Sequence, residues 1–346
     1  MTYATLFNSF LITGISLLML KPFAHRMGLV DVPGGRKTHE KATPLIGGLG
    51  IFLGTLVMIL FTPNVFHEYG ALLALASLVL FVGLLDDAIE LRVSVRMGAH
   101  GFAALVMATV ADVKLESLGN LLGAGPVELG LLSVPLTVFA TVGVINAVNM
   151  ADGLDGLSGG LVLIALACIA AVAAVAGNFE LLALSTILGC SLAAFLTMNF
   201  RLLWKKNALV YLGDAGSTML GFMVAWILIS ESQGPDASFA PVFALWFLAV
   251  PLLDTVYLLI GRPLRKISPF TPGVDHLHHN LIRHGLSVKT TVMLLFATAA
   301  AFGTIGLIGY LMQVSETFMF LAFMVLFTLY VHVGQLLGQR TKASAG

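Results

Sequence analysis

Residues 158–176 read SGGLVLIALACIAAVAAVA, a run of nineteen positions without a charged side chain. A run of this length can cross a bilayer as one helix, since about 20 residues span the hydrocarbon core of about 30 Å. Similar blocks recur along the chain, in which 58% of the 346 residues are hydrophobic and only 10% are charged. A soluble domain carries about a quarter charged residues. We therefore exclude a soluble globule and predict an all-α, polytopic integral membrane protein.

The hydropathy pattern predicts about eleven transmembrane helices. The spans lie near 4–20, 45–62, 70–87, 97–111, 130–148, 158–176, 181–199, 209–230, 239–260, 290–312 and 317–336. The first apolar stretch has no basic region before it and no small-residue cleavage site before Lys21. We expect it to be a retained helix rather than a signal peptide.

The distribution of positive charge predicts the orientation of the chain. If the segments between spans alternate between the two sides, one side receives every Lys and Arg except Lys114. Cytoplasmic loops carry the excess of these residues, which predicts an external N-terminus and a cytoplasmic C-terminus. We expect one domain, 1–346, with cytoplasmic loops near 21–44, 88–96, 149–158, 200–208 and 261–289.

Charge and cysteine usage exclude several other classes of function. Lys plus Arg and Asp plus Glu are balanced at 18 each, so we expect no nucleic-acid partner. Cys168 and Cys190 both lie inside apolar blocks, which argues against a disulfide framework or a cysteine zinc site. We expect both to be packing residues.

The third span ends in an acidic motif, Gly83-Leu-Leu-Asp86-Asp87-Ala-Ile-Glu90. Adjacent carboxylates at a membrane interface are unfavourable unless a cation or a ligand uses them. The motif therefore indicates a metal, diphosphate or proton-transfer site. The alternative is an interfacial cap in which an acid pairs with Arg92 or Arg96.

A second motif, residues 146–160, reads NAVNMADGLDGLSGG and follows the fifth span. Its Asn146, Asn149 and Asp152 recur every three residues, and the glycines let the backbone approach a ligand closely. Oxygen donors of this kind suit Mg²⁺ or Mn²⁺ with substrate phosphates. The alternative is an ordinary Asp-Gly turn.

A third motif, Tyr211-Leu-Gly-Asp214-Ala-Gly-Ser217, stands at the cytoplasmic start of the eighth span. Glycines beside an acid at a helix N-terminus offer amides to an anion and a carboxylate to its metal. Three acid clusters at one membrane depth would repel one another unless cations occupy them.

Two cytoplasmic loops add nitrogen donors. In the later one, His276, His278, His279 and Arg283 fall within eight residues and form a candidate phosphate-binding group, with zinc as the competing ligand. The earlier loop, residues 36–48, reads RKTHEKATPLIGG, although positive-inside topology alone explains part of its charge.

With these five motifs, the chain resembles the polyprenyl-phosphate N-acetylhexosamine-1-phosphate transferase family, also called glycosyltransferase family 4, over nearly its whole length. The His-Leu-His-His loop, preceded by Ser268-Pro-Phe-Thr-Pro, is similar to that of bacterial undecaprenyl-phosphate N-acetylglucosamine-1-phosphate transferases. The resemblance implies a multi-pass enzyme of the bacterial inner membrane with a cytoplasmic active site. Its expected partners are a UDP-N-acetylhexosamine, undecaprenyl phosphate and the bilayer, and its expected cofactor is Mg²⁺, with Mn²⁺ as an alternative.

The implied reaction starts cell-envelope polysaccharide assembly, such as that of lipopolysaccharide O-antigen. A lipid phosphate attacks the β-phosphorus of the UDP-sugar, most simply UDP-GlcNAc, and UMP is released. We expect direct attack rather than an aspartyl-phosphate intermediate, since much of a phosphate monoester is already a dianion at neutral pH.

The resemblance also assigns roles to individual residues. Asp86 and Asp87 match the acid pair that activates the lipid phosphate, and Asn149 and Asp214 match the metal ligands. The substrate-binding candidates are Lys37, His39, Asn146, Asp152, Gly153, Leu154, Asp155, Asn199, Tyr211, His276, His278, His279 and Arg283. Among these, Tyr211 would stack on the uracil and the histidines would contact phosphate. Asp254, in the ninth span, receives no role.

Three alternatives stay open at this point. One is the same chemistry with another UDP-sugar, including UDP-MurNAc-pentapeptide, because no single residue identifies the sugar. An intramembrane prenyltransferase would also use paired acids, and would release pyrophosphate instead of UMP. A lipid transporter would move its substrate without a chemical product. The Gly50–Gly54 spacing allows helix contact within one chain or in a homodimer.

Overall fold

The computed structural model describes residues 3–31, 42–200, 208–264, 266, 273 and 275–343. These residues are almost entirely helical, which confirms the predicted all-α class. The helices are α1 Tyr3–Ala24, α2 Gly47–Leu60, α3 Pro63–Ile89, α4 Val93–Thr109, α5 Ser133–Met150, α6 Leu157–Ala176, α7 Phe179–Asn199, α8 Gly213–Ser230, α9 Pro241–Phe247, α10 Ala249–Leu264, α11 Leu277–Arg283, α12 Val288–Leu311 and α13 Glu316–Ala343. Two short strands, β1 Val30–Asp31 and β2 Thr43–Pro44, pair in antiparallel fashion.

Eight of the described helices are long and apolar enough to cross a membrane, or nine spans if a bent pair counts as one. That pair is α9 and α10, whose axes meet at 91°. The chain is therefore a polytopic membrane protein. Each of the eleven predicted spans overlaps a helix or this pair, but α2 has only 14 residues, about 21 Å at 1.5 Å per residue. Helix α4, with 17 residues, is likewise not among the long spans, so the count of eleven stays a prediction.

The helix ends follow local sequence signals. Helix α3 has Pro63 in its first turn, where the missing N–H has no effect on helical hydrogen bonding. Helix α7 is capped by Asn178, whose side chain accepts a hydrogen bond from the N–H of Leu181. Helix α6 lies between two left-handed glycines, Gly156 and Gly177. Cys168 and Cys190, in α6 and α7, are both free thiols, as expected.

Helix α8 forms the centre of the bundle, buried along nearly its whole length against α2, α3 and α5. Glycines permit the close approach of these helices. A Cβ on Gly83 of α3 would lie 2.3 Å from the Cα of Ala215, and one on Gly48 of α2 would lie 2.3 Å from the Cα of Gly216. Larger residues would push the backbones apart, so the three helix ends that carry the polar motifs are held in contact.

The start of α8 differs from the predicted boundary at 209. The backbone N–H of Tyr211 donates to Pro44, and the Tyr211 carbonyl accepts from Gly47, at 2.8 and 2.9 Å. The segment before Gly213 is therefore extended, because its hydrogen bonds go to the chain around β2 rather than to a helix.

The opposite end of the bundle contains a buried polar cluster around Glu231. Its Oε1 accepts from the Tyr69 hydroxyl at 2.6 Å, and its Oε2 accepts from Asn178 and Ser238 at 2.9 Å each. Because every carboxylate oxygen is satisfied within the protein, this cluster joins α3, α7 and α8 as a structural element.

Candidate active site

Asp87, in the last turn of α3, caps the start of α8. Its Oδ1 accepts from the backbone N–H of Asp214 at 2.8 Å, and its Oδ2 accepts from that of Ala215 at 3.1 Å. These amides belong to the first turn of α8 and have no partner inside the helix. Gly213 has a φ of +76°, and a Cβ on it would lie 2.5 Å from Oδ2 of Asp87. Glycine at position 213 therefore allows Asp87 to reach α8.

Arg96, on α4, joins two of the acidic motifs. Its Nη1 lies 2.5 Å from Oδ2 of Asp86 and 3.3 Å from Oδ2 of Asp214. Asp86 is buried, and its Oδ1 accepts from the backbone N–H of Leu91 at 2.7 Å. The pairing with Arg96 considered in the sequence analysis is thus formed. Its contact with Asp214 also places Arg96 in the site, a role that the sequence analysis did not give it.

Asn149 and Asp214, the two expected metal ligands, are in direct contact. The Nδ2 of Asn149 donates to Oδ1 of Asp214 at 2.6 Å and to Oγ of Ser217 at 2.9 Å. Asp152, just after α5, is half-buried, and its burial and the nearby charges of Asp214 and Asp87 raise its pKa well above the usual range. The three acidic motifs therefore meet in one site, as their shared depth predicts.

The histidine loop reaches the same site through the loop between α5 and α6. A Cβ on Gly153 would lie 2.4 Å from Nε2 of His278, so a larger residue at 153 would overlap the imidazole. Leu154 packs against the same apolar cluster as Leu277 and Leu281 of α11. The second and fourth motifs are thus adjacent, although they are separated by more than a hundred residues in sequence.

The three histidines form a compact group. The rings of His276 and His278 are stacked with centroids 5.6 Å apart, and those of His278 and His279 are 4.1 Å apart. Burial and the neighbouring His279 lower the pKa of His278 to about 3, and burial also lowers the pKa of His279. These two imidazoles are therefore neutral at neutral pH and offer an N–H rather than a positive charge to a phosphate.

The structure also describes the surroundings of four other predicted residues: Asn146, Asn199, Asp155 and Arg283. Asn146 donates to the carbonyl of Val142 in its own helix at 2.7 Å. Asn199 is buried and donates to the carbonyl of Val210 at 2.9 Å, which fixes the backbone next to half-buried Tyr211. Asp155 is half-buried, and Arg283 is exposed at the end of α11.

Two predicted residues, Lys37 and His39, lie outside the described residues. The structure describes this loop motif only from residue 42 onward, so its basic residues have no described position.

The donor set around Asp214 fits a hard cation. Carboxylate and amide oxygens of Asp214, Asp87, Asp152 and Asn149 are the ligand types that Mg²⁺ prefers, and Mg²⁺ usually takes only one or two protein ligands beside substrate phosphates and water. Across the described parts of the chain, no three His, Cys, Asp or Glu side chains are arranged as a metal site. Zinc binding by the histidines thus has no geometric support within those parts.

The comparisons with known proteins agree with the motifs. A model of the family "Glycosyl transferase family 4" matches residues 69–232, which include the first three motifs. The chain is 36% identical over 328 residues to the undecaprenyl-phosphate α-N-acetylglucosaminyl 1-phosphate transferase of Haemophilus influenzae, covering 95% of this chain and 92% of that protein. Proteins of the same name are 34% identical in Yersinia pestis, over 93% of this chain and 88% of theirs, and in Escherichia coli strain K12, over 94% and 89%. Since the identity extends over nearly the full length, the chain belongs to glycosyl transferase family 4.

Proposed function

We propose that this protein transfers GlcNAc-1-phosphate from UDP-GlcNAc to undecaprenyl phosphate, releasing UMP. The lipid-linked pyrophosphoryl sugar that results would start a cell-envelope polysaccharide. The observation that carries the proposal is the meeting of Asp87, Asn149 and Asp214 at one end of the bundle, beside the contact between Gly153 and His278. The relatives are named for undecaprenyl phosphate and for an N-acetylglucosaminyl 1-phosphate group, which supports the same acceptor and the same transferred group.

In the proposed reaction, an oxygen of the lipid phosphate forms a bond to the β-phosphorus of the donor. The bond from that phosphorus to the oxygen bridging the two phosphates breaks, and UMP leaves with this oxygen and its electron pair. Asp86 or Asp87 orients the acceptor or removes its remaining proton. Phosphoryl transfer depends mainly on positioning and charge neutralisation, so we assign the greater part of catalysis to the groups that hold the phosphates.

Magnesium fits the oxygen donors of this site, and Asn149 and Asp214 would hold it. When bound, it would neutralise negative charge on the phosphates of the donor. Arg96 already contacts Asp86 and Asp214, so this side chain keeps part of the acidic charge balanced within the protein.

The uridine end of the donor is assigned to the loop after α5. Gly153, Leu154 and Asp155 would contact uridine, and the ring of Tyr211 would stack on the uracil. His276, His278 and His279 would donate to the phosphates, together with Arg283 and with Lys37 and His39 of the first cytoplasmic loop.

We propose further that the chain is a single domain of eleven spans in a bacterial inner membrane. Its N-terminus would be external, and its C-terminus and active site cytoplasmic. The one-sided distribution of Lys and Arg supports this orientation. Labelling of single cysteines introduced into the polar loops, in intact and in lysed cells, would test it.

The deciding experiment measures UMP release by detergent-purified protein. The assay contains undecaprenyl phosphate, Mg²⁺ and a panel that includes UDP-GlcNAc, UDP-GalNAc and UDP-MurNAc-pentapeptide, and the lipid product is identified by mass. We expect lipid-dependent UMP release from UDP-GlcNAc, loss of turnover with EDTA, and recovery with Mg²⁺ or Mn²⁺. Folded protein that releases no UMP from any donor, or that releases pyrophosphate from a prenyl diphosphate, would refute the proposal.

Two further measurements separate the individual roles. Asp214→Asn should abolish most turnover while the protein stays folded, and near-normal turnover would remove Asp214 from the metal site. Exchange of labelled UMP into UDP-GlcNAc without lipid acceptor would favour a covalent aspartyl intermediate over direct attack.

A further inference from the structure

Asp254, near the middle of α10, connects three separate segments of the chain. Its Oδ2 lies 2.7 Å from Nδ1 of His276. Its Oδ1 accepts from the backbone N–H of Leu277 at 3.0 Å and from the hydroxyl of Tyr330 at 2.7 Å. One carboxylate thus links α10, the start of α11 and the last helix, α13. The role proposed above for the acidic motifs does not use this residue.

The contact with Asp254 determines how His276 presents its ring. A carboxylate accepts hydrogen bonds and cannot donate them, so the proton lies on Nδ1 and the opposite nitrogen, Nε2, is the end available for a ligand. Among the described residues, His276 is the one member of the histidine group that pairs with a carboxylate.

The neighbouring histidines lie in a different electrostatic environment. His278 and His279 are buried beside other cationic or neutral nitrogen groups, and the pKa of each is lowered. The ring of His276 is stacked on that of His278, and the His278 ring lies directly against Gly153. The imidazole of His276 therefore stands at the edge of the loop assigned to the donor.

The protein also fixes the residue before His276. Arg262 lies about two helical turns after Asp254 on α10. It pairs with Asp275 through Nη2 at 2.6 Å and Nε at 3.2 Å. Helix α10 thus anchors the start of the histidine group twice, through Arg262 and through Asp254. Only the second anchor touches an imidazole.

We propose that Asp254 is a positioning residue that acts through His276, holding its ring by the Nδ1 edge so that the opposite edge, at Nε2, faces the nucleotide-sugar donor. Tyr330 and the N–H of Leu277 in turn hold the carboxylate. This inference rests on the function proposed above and adds a residue that no motif of the sequence singled out.

The test is a double-mutant cycle in the full-length protein, with UMP release as the assay. Asp254→Asn keeps the size of the side chain but removes the negative charge and one of the acceptor oxygens. We expect the KM for UDP-GlcNAc to rise about tenfold or more, with the KM for undecaprenyl phosphate unchanged. A purely structural defect would not single out the donor in this way.

The cycle is completed with His276→Gln and with the double variant. If Asp254 acts through His276, adding Asp254→Asn to His276→Gln should cause little further loss, because the group that it positions is already absent. Equal fold-losses from Asp254→Asn in both backgrounds would overturn the inference. So would wild-type donor kinetics in the Asp254→Asn single variant.

Two controls keep the outcomes distinct. Tyr330→Phe removes one of the three hydrogen bonds to Asp254 and leaves His276 paired with it, so we expect the KM for UDP-GlcNAc to be two- to fivefold above wild type. This variant replaces Asp254→Asn in the test if Asp254→Asn does not fold. An unchanged donor KM in Tyr330→Phe together with unfolded Asp254→Asn would refute positioning in favour of a structural role. If the wild-type protein releases no UMP, the proposed function is overturned. If the wild type is active and the effects of Asp254→Asn and His276→Gln add independently, only this inference is overturned.

Discussion

Replacement of Gly213 by alanine provides a sharp test of how the site is assembled. The new Cβ would lie 2.5 Å from Oδ2 and 3.2 Å from Cγ of Asp87. The side chain of Asp87 would have to move, and its hydrogen bonds to the N–H groups of Asp214 and Ala215 would be lost or lengthened. The left-handed φ of +76° is a second source of strain for alanine.

The two effects can be given magnitudes. A left-handed backbone costs a non-glycine residue about 1–2 kcal/mol, and loss of a helix cap costs about 0.5–2 kcal/mol. We expect Gly213→Ala to lower the free energy of unfolding by about 1.5–4 kcal/mol, or Tm by about 2–6 °C for a chain of this size. Displacement of a catalytic carboxylate by about 1 Å can cost about a hundredfold in rate, and we expect at least that loss of UMP release.

Gly177 offers a matched control. It has the same left-handed backbone, with a φ of +75° just after the end of α6, but a Cβ there would meet nothing within 4 Å. Gly177→Ala should therefore show the backbone strain alone, about 1–2 kcal/mol, with normal turnover. Thermal unfolding in detergent and UMP release would be measured on both variants. Equal stability losses together with near-normal turnover in Gly213→Ala would refute the assignment of Asp87 to the assembly of the site.

Two further predictions concern the contact between the donor loop and the histidines. Gly153→Ala would place a Cβ 2.4 Å from Nε2 of His278, so we expect a higher KM for UDP-GlcNAc. In Gly143→Ala the new Cβ would meet nothing within 4 Å, so this control should keep the wild-type KM. Equal KM values in the two variants would contradict the contact between Gly153 and His278. The pKa of His278 is lowered to about 3 in the folded protein, whereas its pKa in the unfolded chain is about 6.5. Below pH 6.5 the unfolded chain therefore binds more protons at this residue, and His278 reduces the stability of the fold as the pH falls. Thermal unfolding of His278→Gln between pH 7.5 and 5 should therefore show a smaller loss of Tm than wild type, and an equal or larger loss would place the imidazole in a more polar environment.

Much of the site could be predicted because the membrane fixes depth. Motifs that end or begin spans on the same side must lie at the same level, and so the convergence of Asp87, Asn149 and Asp214 followed from topology together with spacing. The helical class followed from composition in the same way. The lengths of individual spans did not, since a short helix such as α2 gives an apolar signal without the length that a crossing needs.

The remaining features depend on tertiary contacts. Asp254 meets residues 22 and 76 positions away, and no local pattern reveals such partners. Arg96 was recognised only as a pairing partner of the acids, since a sequence does not say that the same guanidinium also reaches Asp214. The protonation of the histidine loop also depends on tertiary contacts, because burial lowers the pKa of His278 and of His279.

The central position of α8 has a consequence for how the protein enters the membrane. Among the candidate spans in the described residues, α8 has the lowest mean hydropathy and the highest buried share. A segment with Asp214, Ser217 and Thr218 in its first turns has little affinity for lipid by itself. Its partners α2, α3 and α5 are synthesised earlier and can receive it as it leaves the insertion machinery. Insertion of α8 and formation of the acidic site are then one event, so variants that disturb the packing of α8 against α2, α3 or α5 should also reduce the amount of full-length protein in the membrane.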